Sequence, residues 1–208
     1  MSFKFYLETM DTGMDLRKRR SQDKLQLALA EHLQNKTIDE ITIGELTKTA
    51  GVSRQTFYSN FDSKQSILLN RIELLFDKTR IYFESLVPRR DIERFEFVEM
   101  GIRYLLVECE KERILMCAAF TGQAGIRCLS LLNRLAGKVI ADRVLLLYNF
   151  NFDEKQLDLI ADFYAGALIG SIQGWLLDET GDKSIDSVVS HIAQLMSQGL
   201  NSYIVRAS

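Results

Sequence analysis

Apolar residues recur every three or four positions along most of the chain, as they do on one face of an α-helix. Residues 63–87 show this spacing over a single long helix, which Pro88 is expected to end. Pro88 is the one proline among 208 residues, and no alternating runs bounded by turn signals indicate strands. The pattern therefore predicts an all-α protein.

The region from residue 42 to residue 64 predicts two short helices separated by a tight turn. Thr42 precedes Glu45 by three residues, which is the spacing of a capping box at a helix start. Gly51 can adopt the positive φ that commonly ends a helix, and Ser53 then offers a new N-cap. Two helices in this arrangement are typical of a helix-turn-helix that reads DNA.

The second short helix would carry the side chains that read bases. Arg54, Gln55 and Thr56 lie in its first turn, and each can hydrogen-bond a base edge in the major groove. Lys64 follows in the first turn of the next helix, where free backbone N–H groups favour an anion such as phosphate. The residues predicted to bind DNA are Thr42, Ser53, Arg54, Gln55, Thr56, Tyr58, Ser59, Asn60 and Lys64.

Several short motifs occur together between residues 25 and 69. They are Leu25, Ala28 and Leu29, then Thr37, Ile43 and Leu46, then Ala50-Gly51-Val52-Ser53, Thr56-Phe57-Tyr58, Phe61, Ser63-Lys64 and Leu68-Leu69. In this combination the region resembles the TetR family of bacterial transcriptional regulators. The resemblance implies base contacts from the first turn of the second short helix, and contacts to the DNA backbone from Tyr58, Asn60 and Lys64.

Two positions depart from the pattern of that family. Asn60 stands where these regulators most often have histidine, and an amide can also donate to phosphate. Thr47 stands where they most often have alanine, close to the second short helix. Its extra bulk keeps a second interpretation open, in which the fold no longer reads DNA and acts as a protein-binding coactivator or adaptor.

Charge is unevenly distributed along the chain. The net charge is −2, but residues 16–71 hold ten Lys/Arg against six Asp/Glu, which leaves 16 against 22 elsewhere. A basic domain of charge +4 beside a remainder of −6 keeps phosphate attraction local. The run Arg17-Lys18-Arg19-Arg20 either contacts DNA or is a solvated helix start.

The composition indicates no catalytic or metal centre. Cys109, Cys117 and Cys128 lack the CxxC spacing of metal and redox sites, and His32 and His191 are the only histidines. The cysteines are therefore predicted to be reduced and buried in a cytoplasmic protein, and the alternative is a metal or redox sensor built from them. The sequence also offers no nucleophile paired with a base, no phosphate loop and no apolar run near the ~20 residues that span a membrane. We expect neither an enzyme, nor a bound cofactor, nor a membrane partner.

Aromatic and methionine residues at helical spacing are frequent between residues 91 and 150. Such residues usually form ordinary core, but they also line ligand pockets in helical domains. The residues predicted to bind a small-molecule effector are Met100, Tyr104, Met116, Phe120 and, on a later helix, Trp175.

Three glycines recur at intervals of four on one predicted helix, namely Gly166, Gly170 and Gly174. Each costs about 0.5–1 kcal/mol relative to alanine inside a helix, so the close approach of another helix is the simplest reason for them. A last helix carries Ile192 and Met196 on its apolar stripe. This region also resembles the C-terminal helices of some TetR regulators, which implies a four-helix dimer interface formed by these five residues. The alternative is that both helices pack only within their own chain.

The patterns divide the chain into a flexible N-terminal extension (residues 1–15), a helix-turn-helix domain (16–62) and an effector-binding and dimerisation domain (63–208). The resemblance implies a homodimeric regulator, in particular a repressor that a small-molecule effector releases from double-stranded operator DNA. In that mechanism the effector changes the tilt of the long helix. The tilt in turn sets the separation of the two recognition helices, which must lie about one DNA turn, ~34–36 Å, apart or a near multiple of it.

Overall fold

A computed structural model describes residues 13–86, 93–145 and 153–204. Nine α-helices, one 3₁₀ turn and one π-helical segment make up most of these residues, and no strand occurs among them. The prediction of an all-α protein is confirmed. The predictions for residues 1–12 and for a helix end at Pro88 lie outside the described residues.

The chain divides into two compact units between Leu68 and Leu69. The first unit contains α1 (Gly13–His32), α2 (Ile43–Ala50), α3 (Arg54–Asn60) and the start of α4 (Lys64–Leu86). Helix α1 packs against both α2 and α3. Fully buried side chains that form the core of this unit include Leu25, Leu29, Leu46 and Phe57.

The second unit contains the remainder of α4 and five further helices. These are α5 (Arg94–Lys111), α6 (Arg113–Phe120), α7 (Gly125–Val139), α8 (Glu154–Leu176) and α9 (Ile185–Ile204). A 3₁₀ turn at Gly122–Ala124 joins α6 to α7, and the π-helical segment Ile140–Leu145 follows α7. Helix α5 packs mainly against α9, and α7 packs mainly against α8.

Side-chain pairs connect α4 to α5 within the second unit. Lys78 Nζ donates to Glu108 Oε2 at 3.0 Å. Farther along α4, the rings of Tyr82 and Tyr104 stack with their centroids 4.3 Å apart. Because residue numbers rise along α4 as they fall along α5, the two helices run antiparallel.

Helix α8 is long and apolar enough to cross a membrane when only its length and composition are considered. Half of its most apolar stretch is buried inside the protein. The core helix of a soluble protein has the same properties, so this is weak support for a membrane span. The sequence-based expectation that no stretch approaches membrane-spanning length is nevertheless wrong for α8. A helix that is buried along one side carries few charged residues on that side, so its composition can match that of a membrane-spanning helix.

Candidate nucleic-acid interface

The capping box predicted at Thr42 is present at the start of α2. Glu45 N donates to Thr42 Oγ1 at 3.2 Å, and Thr42 N donates to Glu45 Oε2 at 2.8 Å. Lys36 Nζ also donates to Glu45 Oε1 at 2.5 Å. Hydrogen bonds from Lys36, and then from Thr42, lower the pKa of Glu45 from 4.5 to about 2. The carboxylate therefore stays charged, and the box stays closed, at neutral pH.

The turn between α2 and α3 forms as the sequence predicts. Gly51 has a φ of 62°, and its N–H donates to Lys48 O at 3.3 Å. A Cβ at Gly51 would meet nothing within 4 Å, so the backbone conformation, and not crowding, favours glycine there. Ser53 Oγ then accepts from Thr56 N at 3.0 Å and caps α3. The helix-turn-helix is thus confirmed.

Helix α3 has one buried side and one exposed side. Phe57 and Phe61 are buried in the first unit. The exposed side chains lie one turn apart on the opposite side, so they share one face. They are Arg54, Gln55, Tyr58 and Ser59. Thr56 is only half-buried, but its Oγ1 is already hydrogen-bonded to Ser53 Oγ at 2.9 Å.

Gly44 makes room for the Arg54 side chain. A Cβ built on Gly44 would lie 3.2 Å from Arg54 Nη2 and 3.8 Å from Thr42 Oγ1. The guanidinium therefore lies across the first turn of α2, where a larger residue would press on it. The sequence does not indicate this arrangement, because no spacing rule connects residues on two different helices.

Asn60 is hydrogen-bonded inside the first unit. Its Nδ2 donates to Thr56 O at 2.7 Å and to Ser21 Oγ at 3.2 Å, which links α3 to α1. Its Oδ1 is buried without a hydrogen-bond partner. A contact from this amide to the DNA backbone would require these bonds to open, and that contact stays a prediction.

Lys64 connects the start of α4 to the turn before α2. Its Nζ donates to Asp39 O at 2.8 Å and to Ile41 O at 2.7 Å. An ammonium group has three donors, so one donor is left for a phosphate oxygen. The predicted phosphate contact is therefore accompanied by a structural role that the sequence did not indicate.

Thr47 is accommodated in α2 without losing a hydrogen bond. The residue is buried, and its Oγ1 donates to Ile43 O at 2.9 Å and to Gly44 O at 3.2 Å. Bonds of this kind satisfy the hydroxyl within its own helix. The structure therefore gives no support to the adaptor interpretation, which rested on the bulk of Thr47.

The basic run Arg17-Lys18-Arg19-Arg20 lies in α1, and all four side chains are exposed. Helix α1 begins at Gly13, so its first residues fall in the stretch predicted as a flexible extension. Exposure is compatible with both interpretations of the run, a DNA contact and a solvated helix start.

The cysteines give no sign of a metal or redox site. Cys109 and Cys128 are buried, as predicted, while Cys117 is half-buried and its Sγ lies 3.4 Å from Leu176 O. Burial raises the pKa of the Cys109 thiol to about 12. Among the described residues, no three His, Cys, Asp or Glu side chains are grouped so that they could hold a metal ion.

The five residues predicted to bind an effector are not brought together. Met100 and Tyr104 lie on α5, Met116 is buried on α6, Phe120 ends α6, and Trp175 is buried near the end of α8. None of them lines the apolar cavity of the second unit. Helical spacing assigns a residue to a face, but it does not say which residue of another helix that face meets.

The glycine face of α8 is open in the single chain. A Cβ at Gly170 or Gly174 would meet nothing within 4 Å, and a Cβ at Gly166 would reach one side-chain atom at 3.9 Å. On the same side of α8, Leu159 is 72% exposed and Phe163 is 68% exposed. An apolar, unobstructed face of this kind has the properties expected of a surface that meets a partner helix.

The two interface residues predicted on α9 are buried within the second unit. Ile192 is 7% exposed and Met196 is 4% exposed, whereas their neighbour Leu195 is 71% exposed. The apolar stripe read from the sequence is therefore core, and the assignment of Ile192 and Met196 to a dimer interface is corrected. Core and interface positions have the same helical periodicity, so the sequence could not separate them.

Residues 28–70 match the family described as "Bacterial regulatory proteins, tetR family". This segment contains the helix-turn-helix, so the chain is similar to the TetR family in its DNA-binding region. The HTH-type transcriptional regulator EthR of Mycolicibacterium smegmatis is 39% identical to this chain over 75 residues. That match covers 33% of this chain and 35% of EthR, so the similarity concerns about a third of each protein.

Solved structures extend the similarity in fold beyond the TetR domain. A putative TetR-family transcriptional regulator from Syntrophomonas wolfei matches with a TM-score of 0.69 at 13% identity, over 88% of this chain and 95% of that one. FadR of Thermus thermophilus, described as a TetR family transcriptional repressor in complex with lauroyl-CoA, matches with a TM-score of 0.63 at 20% identity. That match covers 86% of this chain and 94% of FadR. The predicted fold class, an N-terminal helix-turn-helix domain followed by a larger helical domain, is confirmed.

Proposed function

We propose that this chain is a transcriptional regulator, specifically a cytoplasmic homodimeric repressor that a small-molecule effector releases from double-stranded operator DNA. The observation that carries the proposal is the exposed face of α3, which presents Arg54, Gln55 and Tyr58 to solvent within a TetR domain. Arginine pairs with guanine and glutamine with adenine, so this face suits the major groove.

The surroundings of α3 favour a fixed recognition surface. Phe57, fully buried beneath the helix, holds it in place, and the Ser53 cap and Gly51 turn define where it begins. A side chain that reads a base edge must be held in position, because hydrogen bonds weaken steeply when their geometry is poor. Tyr58, with 57% of its surface exposed, is available to a phosphate oxygen beside the groove.

The effector-release step rests on helix α4. This helix runs for 23 residues without interruption, beginning in the first unit and ending in the second. A ligand that changes how α4 packs in the second unit would therefore also act on the start of the same helix, where Lys64 bonds to Asp39 O and Ile41 O. FadR, of similar fold, is described as a repressor in complex with lauroyl-CoA. An effector shifts operator affinity only as far as it prefers one of the two conformations, typically by about 1–3 kcal/mol.

The homodimer would form through the glycine face of α8. Gly166, Gly170 and Gly174 leave space for a second helix, and the exposed Leu159 and Phe163 supply apolar surface beside them. A two-fold dimer carries two copies of α3, which is the number needed to read the two halves of one operator.

DNA binding by purified protein tests the proposal. Fluorescence anisotropy should show tighter binding to DNA from upstream of the protein's own gene than to random DNA. Arg54→Ala should cost about 1–3 kcal/mol on the operator and relax the preference at one base pair. Arg127→Ala removes the same charge from an exposed position in the second unit and should change neither quantity.

Two results would count against the proposal. Equal losses on operator and random DNA would make Arg54 a phosphate contact and not a base reader. A wild-type protein that binds operator and random DNA equally well would contradict the regulator function and would return attention to the adaptor interpretation.

A further inference from the structure

An apolar cavity lies inside the second unit, between α4, α5, α7, α8 and α9. Its volume is about 30 Å³, which leaves room for a water molecule or two but for no larger compound. The described residues that line it include no charged side chain. The one polar side chain among them is Thr79, whose Oγ1 donates to Leu75 O at 2.9 Å.

The ring of Phe83 occupies one wall of this cavity by lying directly on Gly101. A Cβ at Gly101 would be 1.8 Å from the Cζ atom of Phe83, a distance that no real pair of atoms could keep. Gly101 stands in the middle of α5, where glycine weakens a helix and needs a structural reason. The seat that it provides for the Phe83 ring is that reason.

Phe83 therefore fills space beside the cavity. Its ring is 5% exposed and lies 5.0 Å, centroid to centroid, from the ring of Phe97. If the Phe83 side chain turned away from Gly101, the cavity would gain the volume of one benzene ring. Apolar cavities of roughly 150 Å³ in protein interiors accept benzene-sized compounds.

The lining restricts which compounds could take the place of the ring. A carboxylate, phosphate or ammonium group would lose its hydration and find no partner of opposite charge among the lining residues. The Thr79 oxygen still has lone pairs and can accept one hydrogen bond. The compound must therefore be uncharged and apolar, with a single hydroxyl as its largest polar group.

We propose that the effector is an uncharged compound with one apolar ring and at most one hydroxyl group, and that it binds by displacing Phe83 from Gly101. This inference rests on the proposed function for its regulatory meaning. Phe83 lies on α4, the helix that continues into the first unit, so displacing its ring changes the packing of that helix against α5.

Isothermal titration calorimetry without DNA tests the binding step, with 4-ethylphenol as the neutral probe and 4-methylbenzoate as its anionic counterpart of similar size. At pH 7 the wild-type protein should bind 4-ethylphenol saturably, and at least about tenfold more tightly than 4-methylbenzoate. Phe83→Ala should bind 4-ethylphenol about tenfold more tightly than the wild type, because no ring has to be displaced first.

Three further variants test whether the change in affinity comes from the cavity and not from the loss of any aromatic ring. Phe95→Ala removes a ring that is 41% exposed on the same helix as Gly101, and it should leave the affinity unchanged. Ala136→Val adds two carbons to the cavity wall and should weaken binding of 4-ethylphenol. Val98→Ile adds one carbon from α5 and serves the same purpose if Ala136→Val does not fold.

The inference is overturned if the wild type shows no saturable binding of 4-ethylphenol, if it binds the carboxylate equally well, or if Phe83→Ala binds more weakly. The proposed function fails separately. If 4-ethylphenol binds as expected but leaves operator affinity unchanged, the cavity assignment is supported and the release step of the proposed function is wrong.

Discussion

The two units of this protein are stabilised in different ways. In the first unit, the two short helices begin at side chains that accept hydrogen bonds from nearby backbone N–H groups, as Thr42 and Ser53 do. In the second unit, four helices run for 15 to 23 residues, held by apolar burial and by ion pairs between helices such as Lys78 with Glu108. Local bonds fix the geometry of a surface that must match DNA. Helices held together by side-chain packing can shift against one another when a ligand binds between them.

The largest effect should come from removing the ring of Phe57, on the buried side of α3. Phe57→Ala should cost about 3–5 kcal/mol of stability, since it empties a fully buried site in the smaller unit. Leu106→Ala, fully buried in the second unit, is the matched change and should cost about 2–5 kcal/mol. Urea unfolding and operator binding are the measurements. Phe57→Ala should abolish DNA binding, whereas Leu106→Ala should reduce it only through overall stability. Normal DNA binding by Phe57→Ala would show that the caps alone hold the first unit.

The next effect concerns the open face of the second unit. Gly170→Leu should weaken a dimer by about 1–3 kcal/mol, because the added side chain overlaps the partner helix. It should leave the melting of the single chain nearly unchanged, since a Cβ at Gly170 meets nothing within 4 Å. Sedimentation velocity measures the dimer, with Glu179→Leu, exposed just beyond α8, as the control for an added leucine. A dimer of undiminished affinity would remove this face from the interface.

Lys64→Ala tests whether Lys64 both stabilises the first unit and contacts DNA. Losing two hydrogen bonds to Asp39 O and Ile41 O should cost the first unit about 1–2 kcal/mol. Losing a phosphate contact should also flatten the slope of log K against log salt by about 1. Chemical unfolding and a salt titration of DNA binding measure the two effects separately. An unchanged slope would leave Lys64 with the structural role alone.

The smallest effect is the pH dependence of the capping box. The pKa of Glu45 is lowered to about 2 in the folded protein, from 4.5, by hydrogen bonds from Lys36 and Thr42. A lowered pKa means that the charged form stabilises the fold above pH 4.5, and that this stability is lost as pH falls towards 2. Glu45→Gln should therefore show a shallower loss of stability over that range, measured by the unfolding midpoint at several pH values. Identical pH profiles would mean that the bonds from Lys36 and Thr42 do not lower the pKa of Glu45 in solution.

The same contrast explains how far the sequence could be interpreted. The capping box at Thr42, the positive φ of Gly51 and the cap at Ser53 depend on neighbours within a few residues, and all three were predicted. The seat of Phe83 on Gly101 joins residues 18 positions apart on two helices, and no local pattern indicates it. For the same reason, the sequence could not show that the predicted effector-binding residues lie apart from the apolar cavity, or that Ile192 and Met196 are buried within the single chain. Periodicity identifies an apolar face, but burial in the chain or against a partner is decided by packing.

The most direct test of the account is reciprocity between operator and effector. Operator affinity should be measured by fluorescence anisotropy with and without a saturating compound that calorimetry has shown to bind the second unit. We predict that the compound weakens operator binding about 5–150-fold, and that the operator weakens binding of the compound by the same factor. Equal operator affinity with and without the bound compound would contradict the coupling through α4, and with it the central claim that the second unit controls the first.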